Sequence, residues 1–282
     1  MKIAYFGTGL LGAGFVRRLL DNGHTVHVWN RSPEKAKALE AGGAKAFASP
    51  AEAVHGVEQL HLTLADDKSV DDVLEPIADA IGSALWVVDH TTTAPTPTAE
   101  RVARWNARGE RFVHAPVFMG PANTRAGTGL MLISGDPDRV AALEPLLATM
   151  TGKLLNLGPA PERAASFKLF GNLMLITIMG GLADMNRLAD AVGVSTADAM
   201  ALFDAFNPGV AVPMRGAKIA SGDFSPSFEL TMARKDVRLM IEEAARHGVG
   251  LAVLPAVAAL MDDAIAHGEG ASDASVVARI RA

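Results

Sequence analysis

Two groups of residues in this chain have the types and spacing to do chemistry. The first is Gly7-Thr8-Gly9-Leu10-Leu11-Gly12, set directly behind the short apolar run of residues 2–6. A glycine triplet at this spacing between strand and helix can hold a dinucleotide pyrophosphate. Gly7 permits a tight turn. Gly9 lets the backbone approach the phosphates. Gly12 lets helix and strand pack closely, so that the pyrophosphate sits on the helix N-terminus. The second group is Lys168 and Asn172, four residues apart in an otherwise apolar stretch. On a helix that spacing places both on one face, one turn apart. A lysine on such a helix either snorkels to solvent or is presented to a cavity, because an unpartnered buried ammonium is costly.

The elements around these residues read as follows. After the glycine motif comes a helical pattern through Phe15, Val16, Leu19 and Leu20, ended by Asn22-Gly23, and then a strand from Thr25 to Trp29. Strands are expected at 59–64, 85–89, 111–114, 130–134 and 152–157, with helices over 70–81 and up to about 108. This alternation predicts an α/β fold, a Rossmann-type doubly wound parallel sheet, over residues 1–160. Ligands of such sheets bind at the carboxyl ends of the strands. The loops after Leu64, Asp89 and His114 share that edge with the glycine turn, so Leu64, Ala65 and Asp66 join the expected cofactor contacts. The second strand ends in Asn30-Arg31-Ser32, where an NAD site usually carries an acid for the ribose hydroxyls. An arginine between amide and hydroxyl neighbours suits a 2′-phosphate, so NADP is expected over NAD.

Past Pro161 the period is helical only, with helices at about 161–190, 195–206, 227–247 and 252–267 and a short one at the end. Residues 161–282 are therefore read as an all-α C-terminal domain joined to the first by a long helix. No charge stands between Lys168 and Asp184, so this helix is expected to be buried. So apolar a domain suggests a subunit interface, in a homodimer or homotetramer.

Composition narrows the classes. Of 282 residues, 49% are hydrophobic and 20% charged, a globular balance. There is no cysteine, which excludes disulfides and thiolate metal sites and fits a cytoplasmic protein. The net charge of -5, with scattered basic residues, speaks against nucleic acid. The longest apolar run, after Lys168, is interrupted by Gly171, Asn172, Gly180 and Gly181, so no membrane span is expected. The eight histidines show no metal-ligand spacing, no partner can be named for His90 or His114, and no metal is expected.

Taken in order, these motifs resemble the 3-hydroxyisobutyrate dehydrogenase family, the β-hydroxyacid dehydrogenases, across essentially the whole chain. Asp89-His90-Thr91-Thr92-Thr93-Ala94-Pro95 is similar to the family's D-x-S-T-x-x-P element, and Ala115-Pro116-Val117-Phe118-Met119-Gly120 to its substrate loop A-P-V-S-G-G. Lys168 and Asn172 match its K-x-x-x-N, and Phe228-Glu229-Leu230 with Lys235-Asp236 its late F-x-L…K-D element. The resemblance implies hydride transfer between a nicotinamide and a small aldehyde or ketone, a semialdehyde or keto acid. Lys168 would stabilise and protonate the oxygen. Phe167, Leu169 and Leu173 would form an apolar wall that lowers its pKa. Asn172 would orient Lys168 or bind substrate, and Thr92 would lie near nicotinamide and substrate. Lys235 would reach the cofactor. Phe118, Met119, Gly120, Phe228 and Asp236 would surround the substrate.

The family's substrate-loop serine is replaced by Phe118, and Met119 follows it. That departure predicts a substrate other than a simple small hydroxy acid, or one whose carboxylate is held elsewhere. It also keeps open an imine reductase of similar architecture, a branch that usually lacks the lysine. A non-catalytic NADP-binding sensor is the third alternative.

Overall fold

The computed structural model describes residues 1–280. It divides into two compact units, Met1–Leu173 and a second that begins at Met174. The division falls within the long helix Arg163–Ala191.

In the first unit, strands β1 (Lys2–Phe6), β2 (Thr25–Trp29), β3 (Lys45–Ala46), β4 (Gln59–Leu62), β5 (Trp86–Asp89) and β6 (Arg111–His114) form one sheet. All neighbours pair in parallel, in the order β3-β2-β1-β4-β5-β6. The short strand β3 is an addition to the sequence reading. Alternate side chains feed two cores. Ile3 and Tyr5 join Phe15, Leu19, Val88 and Val113 on one face. Ala4 and Phe6 join Leu60, Leu62, Leu74 and Trp105 on the other. Burying one such large apolar side chain contributes about 1.5–3 kcal/mol. The strand order reverses between β1 and β4, which opens a crevice between the loops that follow them.

Residues 130–134 and 152–157 do form strands, but these do not extend this sheet. β7 (Val117–Phe118), β8 (Leu130–Ile133) and β9 (Lys153–Asn156) make a separate sheet, with β7 antiparallel to β8. Pro116, two residues past β6, has no N–H for a continuing ladder. Its carbonyl instead accepts from Leu132 N at 2.9 Å.

The long helix is anchored at its start by Ser134, just beyond β8. The Ser134 hydroxyl donates to the Pro161 carbonyl (3.1 Å) and accepts from Ala164 N (2.9 Å), acting as a borrowed cap. The expected burial of this helix does not hold within the chain. Phe170 and Leu173 are each 61% exposed and Ile176 62%. An all-round apolar pattern says that a helix is to be covered, not which chain covers it. The 29-residue helix, with mean hydropathy 1.4 in its most apolar window, is long and apolar enough to cross a bilayer by length and composition alone.

The second unit is helical, with Thr196–Ala205, Ala211–Ser221, Leu230–Arg246 and Leu254–Ala266. Ala211–Ser221 is absent from the sequence reading because Pro213 and Gly216 break its pattern. Pro213 sits in the first turn, where no intrahelical N–H bond is lost. Two carboxylates organise this unit. Asp184 accepts from the N–H groups of Ala252, Val253 and Leu254 at 2.6–3.0 Å, and so caps the last long helix. Asp273, fully buried, accepts from Ser227 and Ser275 and pairs with Arg215 at 2.8 Å. Hydrogen bonds to its charged form outweigh the opposing effect of burial and hold its carboxyl well below the usual range.

Candidate active site

The glycine turn has three separate geometric requirements. Gly7 lies at φ +83°, and a Cβ there would meet the Thr63 carbonyl oxygen at 2.0 Å. A Cβ on Gly12 would meet the Gly7 carbonyl oxygen at 1.9 Å. Gly9 is different, because a Cβ there would meet nothing within 4 Å. Its bare backbone faces open space at the N-cap of the helix Leu10–Asp21, which suits a pyrophosphate. The turn is tied to the end of β2, since Thr8 N donates to Asn30 Oδ1 (2.9 Å) and Asn30 Nδ2 to the Ser32 carbonyl (3.0 Å).

Around this turn lies a cleft of about 630 Å³, lined by Gly7, Gly9, Leu10, Leu11 and Gly12, by Asn30, Arg31 and Ser32, and by Leu64 and Ala65. The cofactor residues expected in these segments thus come together, with two exceptions. Thr8 is buried behind the turn. Asp66 does not line the cleft. Its carboxylate caps the helix Asp67–Leu74 by accepting from Ser69 N at 2.8 Å and Ser69 Oγ at 2.7 Å. Trp29, Lys35, Ser69, Asp72 and Val73 also line it and are absent from the sequence reading. Lys35 had a signal, its position four residues beyond Arg31 in the first turn of the helix Pro33–Lys37. A dinucleotide with an extra phosphate fits this donor set of bare backbone, guanidinium and ammonium.

The loop after β5 is held from beneath. Thr91 N donates to Asp89 Oδ1 (2.8 Å), and Leu64 N donates to Thr91 Oγ1 (2.9 Å). Thr93 Oγ1 meets Thr98 Oγ1 at 2.7 Å, and His114 Nε2 donates to the Thr91 carbonyl at 2.8 Å. Thr91 and Thr93 are buried, and Thr92 between them is exposed on the edge. The expectation that no partner can be named for His90 or His114 is corrected. His61 and His90 bond to each other at 3.0 Å, and His90 Nδ1 donates to the Ala115 carbonyl at 2.7 Å. Strand pairing creates these partners, and residue spacing in the sequence does not show them.

Lys168 is only 8% exposed, and its Nζ donates to Asn172 Oδ1 at 3.0 Å. Burial lowers its pKa from 10.5. The apolar wall is not the one expected. Phe167 and Leu169 are each 37% exposed and Leu173 is 61% exposed. The ring beside the ammonium is Phe118, whose centroid lies 4.1 Å from Nζ. Lys168, Asn172 and Phe118 therefore form one cluster. Gly120 N donates to Asn123 Oδ1 at 2.9 Å, and Met119 packs close to Gly129. Phe228, Lys235 and Asp236 belong to the second unit. Phe228 is 39% exposed, just ahead of the helix Leu230–Arg246, and Lys235 Nζ pairs with Asp236 Oδ1 at 3.0 Å. Among the described residues no group of three or more possible ligands could hold a metal ion.

Two family models cover the chain. Residues 2–158 match the NAD binding domain of 6-phosphogluconate dehydrogenase, and residues 163–281 the NAD-binding region of NADP-dependent 3-hydroxyisobutyrate dehydrogenase. The chain belongs to the 3-hydroxyisobutyrate dehydrogenase family. It is an NAD(P)-dependent oxidoreductase acting on hydroxyl and carbonyl groups. A 3-sulfolactaldehyde reductase of Escherichia coli (strain K12) is 28% identical over 98% of this chain and 94% of its own length. The cytokine-like nuclear factor N-PAC of Xenopus tropicalis is 32% identical over 85% of this chain, which spans 46% of that protein. An imine reductase from Myxococcus stipitatus in complex with NADP+ superposes with TM-score 0.93 at 16% identity, covering 98% of both chains. An imine reductase from Pseudomonas sp. superposes with TM-score 0.90 at 24% identity, over 98% of this chain and 97% of that one. These two likenesses speak for the fold alone.

Proposed function

We propose that this member of the family is an NADP-preferring reductase of a small aldehyde or ketone, with Lys168 as its acid/base. The observation that carries the reading is the Lys168 ammonium, buried, hydrogen-bonded to Asn172 Oδ1 and lowered in pKa. NADP, when bound, supplies the hydride for reduction or takes it up in oxidation. The chain's residues do the rest. Lys168 Nζ donates to the carbonyl oxygen of the substrate as negative charge grows there, and then gives up its proton. Asn172 fixes the ammonium through Oδ1 and leaves its Nδ2 donors for the same oxygen. Thr92, on the pinned loop, offers a hydroxyl at the cofactor edge. Arg31 and Lys35 bind the 2′-phosphate, with Ser32 adding a hydroxyl. Lys235 and Asp236 serve the cofactor and the substrate surroundings from the helical domain, and Phe228 borders the substrate.

The domain assignment stands in the same way, with a cofactor domain over 1–160 and a substrate and dimerisation domain over 161–282. The exposed apolar side chains of the long helix support a homodimer or homotetramer. Light scattering after size exclusion would show a monomer if that is wrong. The absence of cysteine supports a cytoplasmic setting.

The test is NADPH and NADH oxidation against short aldehydes, keto acids and cyclic imines, with K168A run beside the wild type. Loss of carbonyl turnover by about two to four powers of ten in K168A is expected. Turnover that survives the substitution would overturn Lys168 as the proton donor. Imine turnover in preference to carbonyls would favour the second reading, an imine reductase, which the apolar Phe118-Met119 pair supports.

A further inference from the structure

Phe118 and Gly171 are fitted to one another. A Cβ built on Gly171 would lie 2.3 Å from Phe118 Cζ and 2.6 Å from its Cε1. The ring therefore occupies a notch that exists only because residue 171 has no side chain. In that notch it lies flat over the Lys168 ammonium, with the centroid 4.1 Å from Nζ. Two groups beside this ammonium are fixed by these contacts. The ring face offers no donor. Asn172 Oδ1 accepts from Nζ at 3.0 Å. In the same loop as Phe118, the Gly120 N–H is already satisfied by Asn123 Oδ1 at 2.9 Å.

A carboxylate carried by a substrate into this corner needs donors or a cation of its own, because its desolvation is costly otherwise. One ammonium cannot both hold an acid group and protonate a carbonyl. We infer that the Phe118–Gly171 pair closes the corner beside Lys168 to an acid group, so that the enzyme takes a neutral carbonyl substrate whose apolar substituent packs against the Phe118 ring. This rests on the reductase reading above and names its substrate class.

Four-carbon pairs matched in all but the acid group test it. Turnover of butanal is compared with that of succinic semialdehyde, and calorimetry on the NADP-loaded protein compares butyramide with succinamate. The wild type is expected to favour the neutral partner of each pair by about tenfold or more. F118S, which empties the notch and adds a hydroxyl, is expected to shift both ratios toward the acid by at least tenfold. G171A, which forces the ring off Lys168, is expected to shift them in the same direction. A wild-type preference for succinic semialdehyde or succinamate, or ratios unmoved in F118S, would overturn the inference. So would binding of neither amide in a protein that turns over neither aldehyde. The reductase reading fails separately, when K168A leaves butanal turnover intact while the neutral preference persists.

Discussion

His61 Nδ1 lies 3.0 Å from His90 Nε2, and this contact has only one possible direction. His90 Nδ1 faces the Ala115 carbonyl at 2.7 Å, which can only accept, so the proton of His90 is on Nδ1. His90 Nε2 is then a lone pair, and His61 Nδ1 donates to it. His61 Nε2 is in turn a lone pair, so the Gln59 amide atom 2.9 Å away must be its NH2 nitrogen. The chain of bonds runs across β4 and β5 and ends on Ala115, which opens the segment leading to Phe118. His90 must be neutral to make it, and burial keeps His61 neutral as well.

Acid should therefore weaken the first unit. Burial pushes His90 and His114 down to about 4, and lowers His61 well below 6.5. The unfolded chain binds protons near 6.5 and the folded one does not, so stability is full above that pH and falls as the pH drops toward 4. Each of His90 and His114 contributes about 3 kcal/mol to that fall. Asp89 opposes it, because burial raises its carboxyl from 3.8 to about 6, which returns about 3 kcal/mol over much of the same range. The balance remains a loss of several kcal/mol. Urea unfolding followed by the fluorescence of Trp29, Trp86 and Trp105, all in this unit, should show a midpoint clearly lower at pH 4.5 than at pH 7. Equal midpoints would mean that the rings are protonated in the fold.

Cofactor choice should depend on Arg31 and Lys35. Both line the cleft beside the end of β2, where the segment Asn30-Arg31-Ser32 carries no acid to hold ribose hydroxyls. A charge-assisted bond to phosphate contributes about 1.5–3 kcal/mol. R31A is therefore expected to weaken NADPH binding about 10- to 100-fold and NADH binding little, and R31A/K35A to bring the two close together. NADPH affinity should also fall more steeply with salt than NADH affinity. Titration of protein fluorescence with each nucleotide measures this, and an equal loss for both would assign the pair to another role.

Gly12 and Gly9 should separate stability from binding. In G12A the new Cβ must displace the Gly7 carbonyl, a tight overlap between backbone atoms. A cost of about 1–3 kcal/mol is expected, together with loss of cofactor affinity. Gly9 has extended backbone and open space at its Cβ position. G9A should fold with a stability within about 0.5 kcal/mol of the wild type yet bind NADP poorly, because its methyl stands where the phosphates approach. Thermal unfolding with and without NADP distinguishes the two, and a destabilised G9A would contradict the open-space geometry.

These contrasts show what a sequence makes legible. The glycine turn is readable because each glycine answers a local backbone requirement. Lys168 and Asn172 are readable because helix spacing alone brings them together. Gly171 is not, since its role is set by a ring 53 residues away in sequence, between Phe118 and Gly171. The His61–His90 bond depends on the pairing of β4 with β5, and no spacing reports it. The helix Arg163–Ala191 misleads for a related reason. Its apolar residues require cover, and periodicity does not distinguish cover by the same chain from cover by another.

The pH dependence of turnover should carry the signature of the buried lysine. Burial disfavours its ammonium and lowers the pKa from 10.5. The Phe118 ring acts in the other direction, because a π-face at 4.1 Å favours the charged form. Reduction needs the protonated group, so its rate should fall as the pH rises through the lowered pKa. Oxidation needs the neutral amine and should rise through the same value. Both limbs should therefore lie below the ordinary lysine range. In F118L, which keeps an apolar neighbour but removes the π-face, both limbs should move further down. Profiles of kcat/KM against pH in the two directions, wild type beside F118L, measure this. A limb at the ordinary lysine value, or one that moves up in F118L, would show that the ring and the ammonium do not interact as their geometry indicates.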